Sequence, residues 1–315
     1  MTAVSAPGAP LRVGTRASAL AVAQTSAIAA HLGPYELVTI TSEGDRSSAP
    51  LASLGGTGVF VSALRDALRA DQVDVIVHSM KDLPTGPAEG IVLAAVPVRA
   101  DARDALATRD GVTLAGLPAG ARVGTGSPRR RAQLLAARPD LDVVGIRGNV
   151  DTRLGRLFDS DEDRRVDGLV LAAAGLERLG RLGEASELLD LATWPTAPAQ
   201  GALALEVRAD APAALRARVA AVDDASTHLA AAAERGVLAR LEAGCSAPIA
   251  AHATVSEQSR TGAAITLTAT VFSPDGRSEL TAVETGADPL EVADRVAAAL
   301  LERGAAALAP LGSAR

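Results

Sequence analysis

Cysteine is nearly absent: the 315 residues include one, Cys245. A lone thiol excludes an internal disulfide framework and fits a reducing compartment. Aromatic residues make up only 2%, too few for the Phe, Tyr and Trp platforms on which nucleic-acid bases stack. An excess of positive charge is missing too, since the formal net charge is −6, which argues against a general polyanion binder. No apolar run approaches the ~20 residues of a membrane span. Residues Met1 to Pro10 have neither a basic n-region nor an apolar h-region, so they are no secretory signal and read as a disordered leader. Nucleic acid and membrane drop out as partners, and a soluble, cytoplasmic α/β protein remains.

Two further chemistries lack their residues. No Walker-A sequence is present, and Gly55-Gly56-Thr57-Gly58 is not followed by the Lys-Ser/Thr that a phosphate loop needs. The four histidines, His31, His78, His228 and His252, show no ligand spacing, and one cysteine makes no zinc site, so no metal is expected.

What is present is core. Hydrophobic residues make up 48% of a chain long enough for two or three domains. Its centre is Asp74-Val75-Ile76-Val77-His78-Ser79-Met80-Lys81-Asp82-Leu83-Pro84. An apolar, β-branched run reads as a buried strand, then turns polar just before a proline that stops regular structure. Ligands bind at the carboxyl ends of strands in open α/β sheets, which is where Asp82 and Lys81 fall. A turn carboxylate capping a backbone N–H is the competing account of Asp82. His78 reads as a hydrogen-bonded core residue.

Around this stretch, strands at Leu11–Gly14 and Tyr35–Thr41 and helices at Ala19–Leu32 and Val59–Ala70 give βαβαβ order and a mostly parallel sheet. Leu20, Ala23, Ala27 and Ala30 form the apolar stripe expected to face inward on the first helix. Residues Ser42 to Gly58 form a long Gly/Ser-rich loop, usually functional or mobile at that length. Three strand–loop–helix units follow, with strands at Ala121–Thr125, Asp142–Ile146 and Gly168–Leu171. Ser127 with Pro128, and then Asn149, signal helix starts. Pro195–Gly201 reads as a connector, and Ala202–Val207 as a strand returning to the first sheet. The last third holds a long helix capped by Asp224 or Ser226, alternating strands with a Ser273-Pro274-Asp275-Gly276 hairpin, and a final helix after Asp288-Pro289. The expected division is a leader at 1–10, a discontinuous α/β domain at 11–103 and 202–222, an α/β domain at 104–201, and an α+β domain with an antiparallel sheet at 223–315.

Arg16, Arg129, Arg130, Arg147 and Arg153 all fall where a strand passes into a helix start. Free N–H groups and the positive dipole end already favour anions there, and guanidinium adds a fork suited to carboxylate or phosphate. As a set they call for a ligand with several anionic groups. Cys245 has two readings, an inert buried thiol or a side chain projecting from a Gly/Ser/Pro loop toward a cleft.

Five motifs in this order resemble the porphobilinogen deaminase (hydroxymethylbilane synthase) family: Val13-Gly14-Thr15-Arg16-Ala17-Ser18, His78 to Pro84, Gly124 to Arg130, Arg147 to Arg153, and Gly244-Cys245-Ser246-Ala247-Pro248. The resemblance runs from about Leu11 to about Arg303. It implies two α/β domains built like a type II periplasmic binding protein with a central cleft, plus a small α+β domain. It implies a dipyrromethane cofactor on a thioether to Cys245, extended by four porphobilinogen molecules with loss of ammonia and then released by hydrolysis as a linear tetrapyrrole. Asp82 matches the catalytic aspartate. Lys81, Thr125, Ser127, Arg129 and Arg130 match cofactor contacts, and Arg16, Ser18, Arg147, Arg153, Arg178 and Gln200 match substrate contacts. A monomer that passes its product to the next tetrapyrrole enzyme is expected. Many relatives have loop lysines where this chain has Ser53 and Thr57. Two other classes fit parts of the pattern, a non-enzymatic small-anion binder of the same fold and a phosphate-handling transferase. The third domain with Cys245 argues against the first, and the missing phosphate loop against the second.

Overall fold

The computed structural model describes residues 10–41, 58–243, 247–258 and 262–311. Cys245, Ser53, Thr57 and nearly all of the loop at 42–58 and the leader at 1–10 lie outside them. In chain order the first elements are β1 (Leu11–Arg16), α1 (Ala19–Ala29), β2 (Tyr35–Ile40), α2 (Gly58–Arg69), β3 (Val75–Ser79) and β4 (Ile91–Ala95). Then come β5 (Asp104–Thr108), β6 (Arg122–Thr125), α3 (Pro128–Ala137), β7 (Asp142–Gly145), α4 (Val150–Leu154), β8 (Gly168–Ala172), α5 (Ala173–Arg178) and β9 (Glu187–Leu188). The chain continues through β10 (Leu203–Arg208), α6 (Ala213–Ala220), α7 (Ala225–Arg240), β11 (Ile249–Gln258), β12 (Gly262–Phe272), β13 (Glu279–Gly286) and α8 (Pro289–Glu302).

The chain divides into two compact units, residues up to Arg99 with Ala202–His228, and Ala100–Gly201 with Leu229 onward. In the first unit the five strands lie in the order β2-β1-β3-β10-β4. The returning strand β10 is antiparallel to both neighbours, while β1 is parallel to β2 and β3. In the second unit the order is β7-β6-β8-β5-β9, again with one antiparallel strand, β5. Both sheets therefore repeat one topology, in which three parallel strands bring their carboxyl ends to the same edge. The second unit also holds the antiparallel sheet β11-β12-β13. Its inner face packs through Ile265, Leu267 and Val271 against Val237 of α7 and Val292, Val296 and Leu300 of α8. The fold class expected from the sequence, two α/β domains and a small antiparallel α+β one, is the one the structure has.

Helix starts follow the chemistry of their caps. The hydroxyls of Ser18 and Ser127 accept from Ala21 N and Arg130 N, and the Asn149 carboxamide accepts from Thr152 N. Asp288 accepts from two N–H groups of α8 with Pro289 at its first turn. The stripe expected to face inward on α1 is a correction. Ala21, Gln24, Thr25 and Ala29 are the buried residues, while Ala27 is exposed. Polar groups turn inward because partners await them: Thr25 Oγ1 donates to Thr15 Oγ1 at 2.8 Å, and Gln24 Oε1 accepts from Ser79 Oγ at 3.1 Å. Helix α1 is thus bonded to the ends of β1 and β3.

The hairpin turn between β12 and β13 closes through Gly276, whose φ of 72° suits glycine. A Cβ at this position would collide with the Ala132 carbonyl of α3 and stand 2.7 Å from Ala136 N. Gly276→Ala should therefore cost about 2–4 kcal/mol, the sum of overpacking and a left-handed backbone. Chemical denaturation checks this against Arg277→Ala on the same turn, which should stay within about 0.5 kcal/mol of the parent. An unchanged midpoint for the alanine variant at 276 would show that the hairpin does not seat on α3.

Candidate functional site

In the first unit the site residues gather at the carboxyl ends of adjacent strands. Arg16 ends β1, Ser18 caps α1, and a single 3-10 turn, Met80–Asp82, follows β3. That turn is held from below: Met80 N donates to Ala202 O at 3.0 Å and Leu83 N to Met80 O at 3.2 Å. Lys81 and Asp82 are half-buried, and Lys81 is the sole lysine of the chain.

Beneath this turn lies a buried ionic network. Glu206 of β10 is forked by Arg65 of α2 at 2.6 and 3.0 Å, and His78 Nε2 of β3 stands 3.2 Å from it. Burial pushes the Glu206 carboxyl up, but His78 and Arg65 outweigh it and hold it at about 2. His78 is buried as expected, but its Nε2 approaches Glu206 without hydrogen-bond geometry, so the hydrogen bond expected of it is not formed there.

In the second unit, Thr125 ends β6, Arg147 follows β7, and β8 leads into α5 with Arg178 in its last turn. Arg147 is exposed, and Arg153 on α4 donates from Nε to the Gly148 carbonyl at 2.8 Å. The Thr125 hydroxyl accepts from Ser127 N at 3.2 Å, shaping the entry to α3. Arg129 and Arg130, in the first turn of α3, are only 3% and 6% exposed.

These two arginines converge on a carboxylate that sequence reasoning passed over as a domain boundary. Asp104, at the start of β5, is fully buried. It accepts from Arg129 Nη1 at 2.9 Å, Arg130 Nη2 at 2.7 Å, Trp194 Nε1 at 3.0 Å and Gln200 Nε2 at 2.7 Å. Burial pushes its carboxyl up, yet the two guanidiniums overcome this and hold it far below the usual range. Burial likewise lowers the proton affinity of Arg129, reinforced by Arg130 beside it, and that of Arg178. The sequence offers little that could have found Asp104, one acidic residue in a run of charged and small ones.

The segment Pro195–Gly201 is more than a connector. Thr196 and the residues from Pro198 to Gly201 are buried. Ala199 takes φ of 58° while its N–H donates to the buried Glu234 of α7. Gln200 is 1% exposed; its amide donates to Ala102 O at 2.9 Å as well as to Asp104, and accepts from Arg130 at 3.3 Å. Gly201, with φ of 88°, leaves no room for a Cβ, which would stand 2.5 Å from Ala100 O.

The edge of each α/β unit thus offers cations and hydroxyls suited to carboxylates, and the first adds one carboxylate of its own. Among the described residues no group of three His, Cys, Asp or Glu side chains could hold a metal ion, and no helix is long and apolar enough to cross a membrane.

Because Glu206 titrates near 2 when folded against an ordinary 4.5, its contribution is full above pH 4.5 and is lost as the pH falls toward 2. Glu206→Gln should then lower stability at pH 7 by on the order of 3 kcal/mol, with the gap from the parent narrowing in acid. Denaturant melts at pH 7 and pH 3 measure this, and a gap that is the same at both would show that the network is not ionic.

The family model described as "Porphobilinogen deaminase, dipyromethane cofactor binding domain" matches residues 11–216, and "Porphobilinogen deaminase, C-terminal domain" matches 228–302. Porphobilinogen deaminase of Leifsonia xyli subsp. xyli is 54% identical over 324 residues, covering 97% of this chain and 96% of that protein. The Thermobifida fusca protein of the same name is 52% identical, covering 88% of this chain and 85% of its own. A TctC solute binding protein from Polaromonas is 13% identical with a TM-score of 0.38, covering 69% of this chain and 83% of its own, too loose a likeness to bear on the fold.

Proposed function

The chain belongs to the porphobilinogen deaminase family, and from that premise we propose how its own side chains divide the work. It is a transferase of tetrapyrrole biosynthesis that condenses four porphobilinogen molecules head to tail on a dipyrromethane cofactor, with loss of ammonia, before hydrolysis frees the linear tetrapyrrole. The observation that carries this function is the match of both family models, in order, over residues 11–216 and 228–302.

The residues present fit the cofactor. Each of its two pyrroles carries an acetate and a propionate, so it brings four carboxylates. Asp104 neutralises one of the two guanidiniums beside it, and the Nε atoms of Arg129 and Arg130 are buried without a hydrogen-bond partner. An anion supplies what that cluster is missing. Lys81, Thr125, Ser127, Arg129 and Arg130 hold the cofactor, and Cys245, a soft nucleophile, carries it by a thioether. When bound, the cofactor would supply the free ring carbon at which the first pyrrole is joined, and each later pyrrole would join the ring before it.

Arg16, Arg147, Arg153 and Arg178 receive the acetate and propionate groups of incoming and already added pyrroles, assisted by Ser18 and Gln200. Asp82 opposes the positive charge that grows on the substrate as ammonia departs, a charge that water would stabilise less well than a fixed carboxylate. The same group, as the acid, passes a proton to the leaving amine, and the carboxylate so formed later takes one from the newly bonded ring carbon. We place the chain in the cytoplasm, as a monomer of three domains divided at residues 103, 201 and 222, that hands its product to the next tetrapyrrole enzyme.

Two measurements test these roles. Cys245→Ser should remove the excess mass of two linked pyrroles from the intact protein, together with turnover; a serine variant that keeps the excess would place the attachment elsewhere. Asp82→Asn should fold, keep that excess and turn over about a hundredfold more slowly or worse, the scale of losing one electrostatic stabiliser. Turnover near the parent's would return Asp82 to a turn-capping role.

A further inference from the structure

The geometry points to Asp104 as the positioning residue of the cofactor site, with Trp194 and Gln200 fixing it in turn. This rests on the reading of Arg129 and Arg130 as cofactor contacts. A carboxylate with no exposed surface that accepts four donors has little freedom to turn. It therefore fixes both guanidiniums at once, one through each oxygen: Oδ2 receives Arg129 and Trp194, and Oδ1 receives Arg130 and Gln200.

Each guanidinium is braced further by neighbouring acceptors. Arg129 Nη1 also donates to Pro195 O at 3.1 Å and to Gln133 Oε1 at 2.6 Å, and Arg130 Nη1 donates to Val170 O at 3.1 Å. Without a hydrogen-bond partner in the protein are the buried Nε of each and the Nη2 of Arg129. Arginine flexibility is thus removed before the ligand arrives, and the remaining donors are left at fixed positions. Asp104 has no exposed surface with which to meet a ligand, so its influence on loading passes through the arginines.

Trp194 is the chain's sole tryptophan and is 5% exposed, packed with Leu106, Leu134 and Val170. Its ring fills core while its N–H has one task, which is to steady Asp104. Trp194→Phe removes that donor and keeps most of the packing.

The test follows the full-length chain, prepared without cofactor and then incubated with porphobilinogen, with the two-pyrrole mass excess read over time by intact-mass spectrometry and the melting temperature measured alongside. Asp104→Asn should load about ten- to a hundredfold more slowly in the folded fraction, the scale of one lost charged hydrogen bond. Trp194→Phe should load several-fold more slowly with little change in melting temperature, and it decides the matter if the asparagine variant fails to fold. A merely structural role would lower the melting temperature and leave the loading rate of the folded fraction at the parent's value, which would overturn the proposal. Arg129→Leu and Arg130→Leu separate the two levels. If both load normally, the reading of these arginines fails. If neither loads while Asp104→Asn loads like the parent, only the positioning role fails.

Discussion

A carboxylate with no access to water is the interaction on which the second unit's chemistry depends. Asp104 stays ionised inside the protein only because two guanidiniums and two neutral donors surround it. The dependence is mutual, because two neighbouring buried arginines would repel each other and lose hydration without a shared counter-ion. Removing one partner of such a buried set costs about 3–5 kcal/mol, so its geometry is held strongly. From it the order spreads outward: α3 is held at its first turn, Pro195 and Gln200 are drawn inward, and Ala199 is kept in a left-handed conformation by Glu234.

The first unit also rests on a buried carboxylate held by cationic groups. Lys81 and Asp82 stand on a short turn at the end of β3, where regular hydrogen bonding ceases. Support comes from below, through Met80 on Ala202, Ser79 on Gln24, and the ion network of Glu206 with Arg65 and His78. Apart from Ala202, which immediately precedes β10, these partners lie on elements that must themselves be in register, α1, α2, β3 and β10. Chemistry at the strand edge is therefore a property of the packed sheet, and the turn alone would not provide it.

Much of this was legible in the sequence. The β-branched run into Lys81-Asp82, the caps Ser18, Ser127 and Asn149, and the return of β10 to the first sheet all follow from local rules. Local rules failed where partners are distant. The inward face of α1 carries Gln24 and Thr25, because Ser79 and Thr15 are there to bond them, and hydrophobic periodicity cannot register that. Asp104, Trp194 and Gln200 are up to 96 residues apart in sequence and meet only through the sheet. Pro195–Gly201 looked like a linker because its composition is that of a turn, yet its backbone and side chains are bonded throughout the interior. The roles proposed for Cys245 and Asp82 come from family motifs; the residue pattern alone put Asp82 at a strand end and left it open between a ligand contact and a turn cap.

The central claim is that cationic strand edges serve a covalent chain that grows by one pyrrole at a time. Intact-mass spectra of the wild-type protein, taken after adding one to four equivalents of porphobilinogen, test it most directly. The account predicts a ladder of discrete species on the loaded protein, each heavier by one deaminated pyrrole unit, ending when the tetrapyrrole is released and the starting mass returns. A protein that binds porphobilinogen without any rise in mass would contradict it, and would leave a reversible binder of small anions.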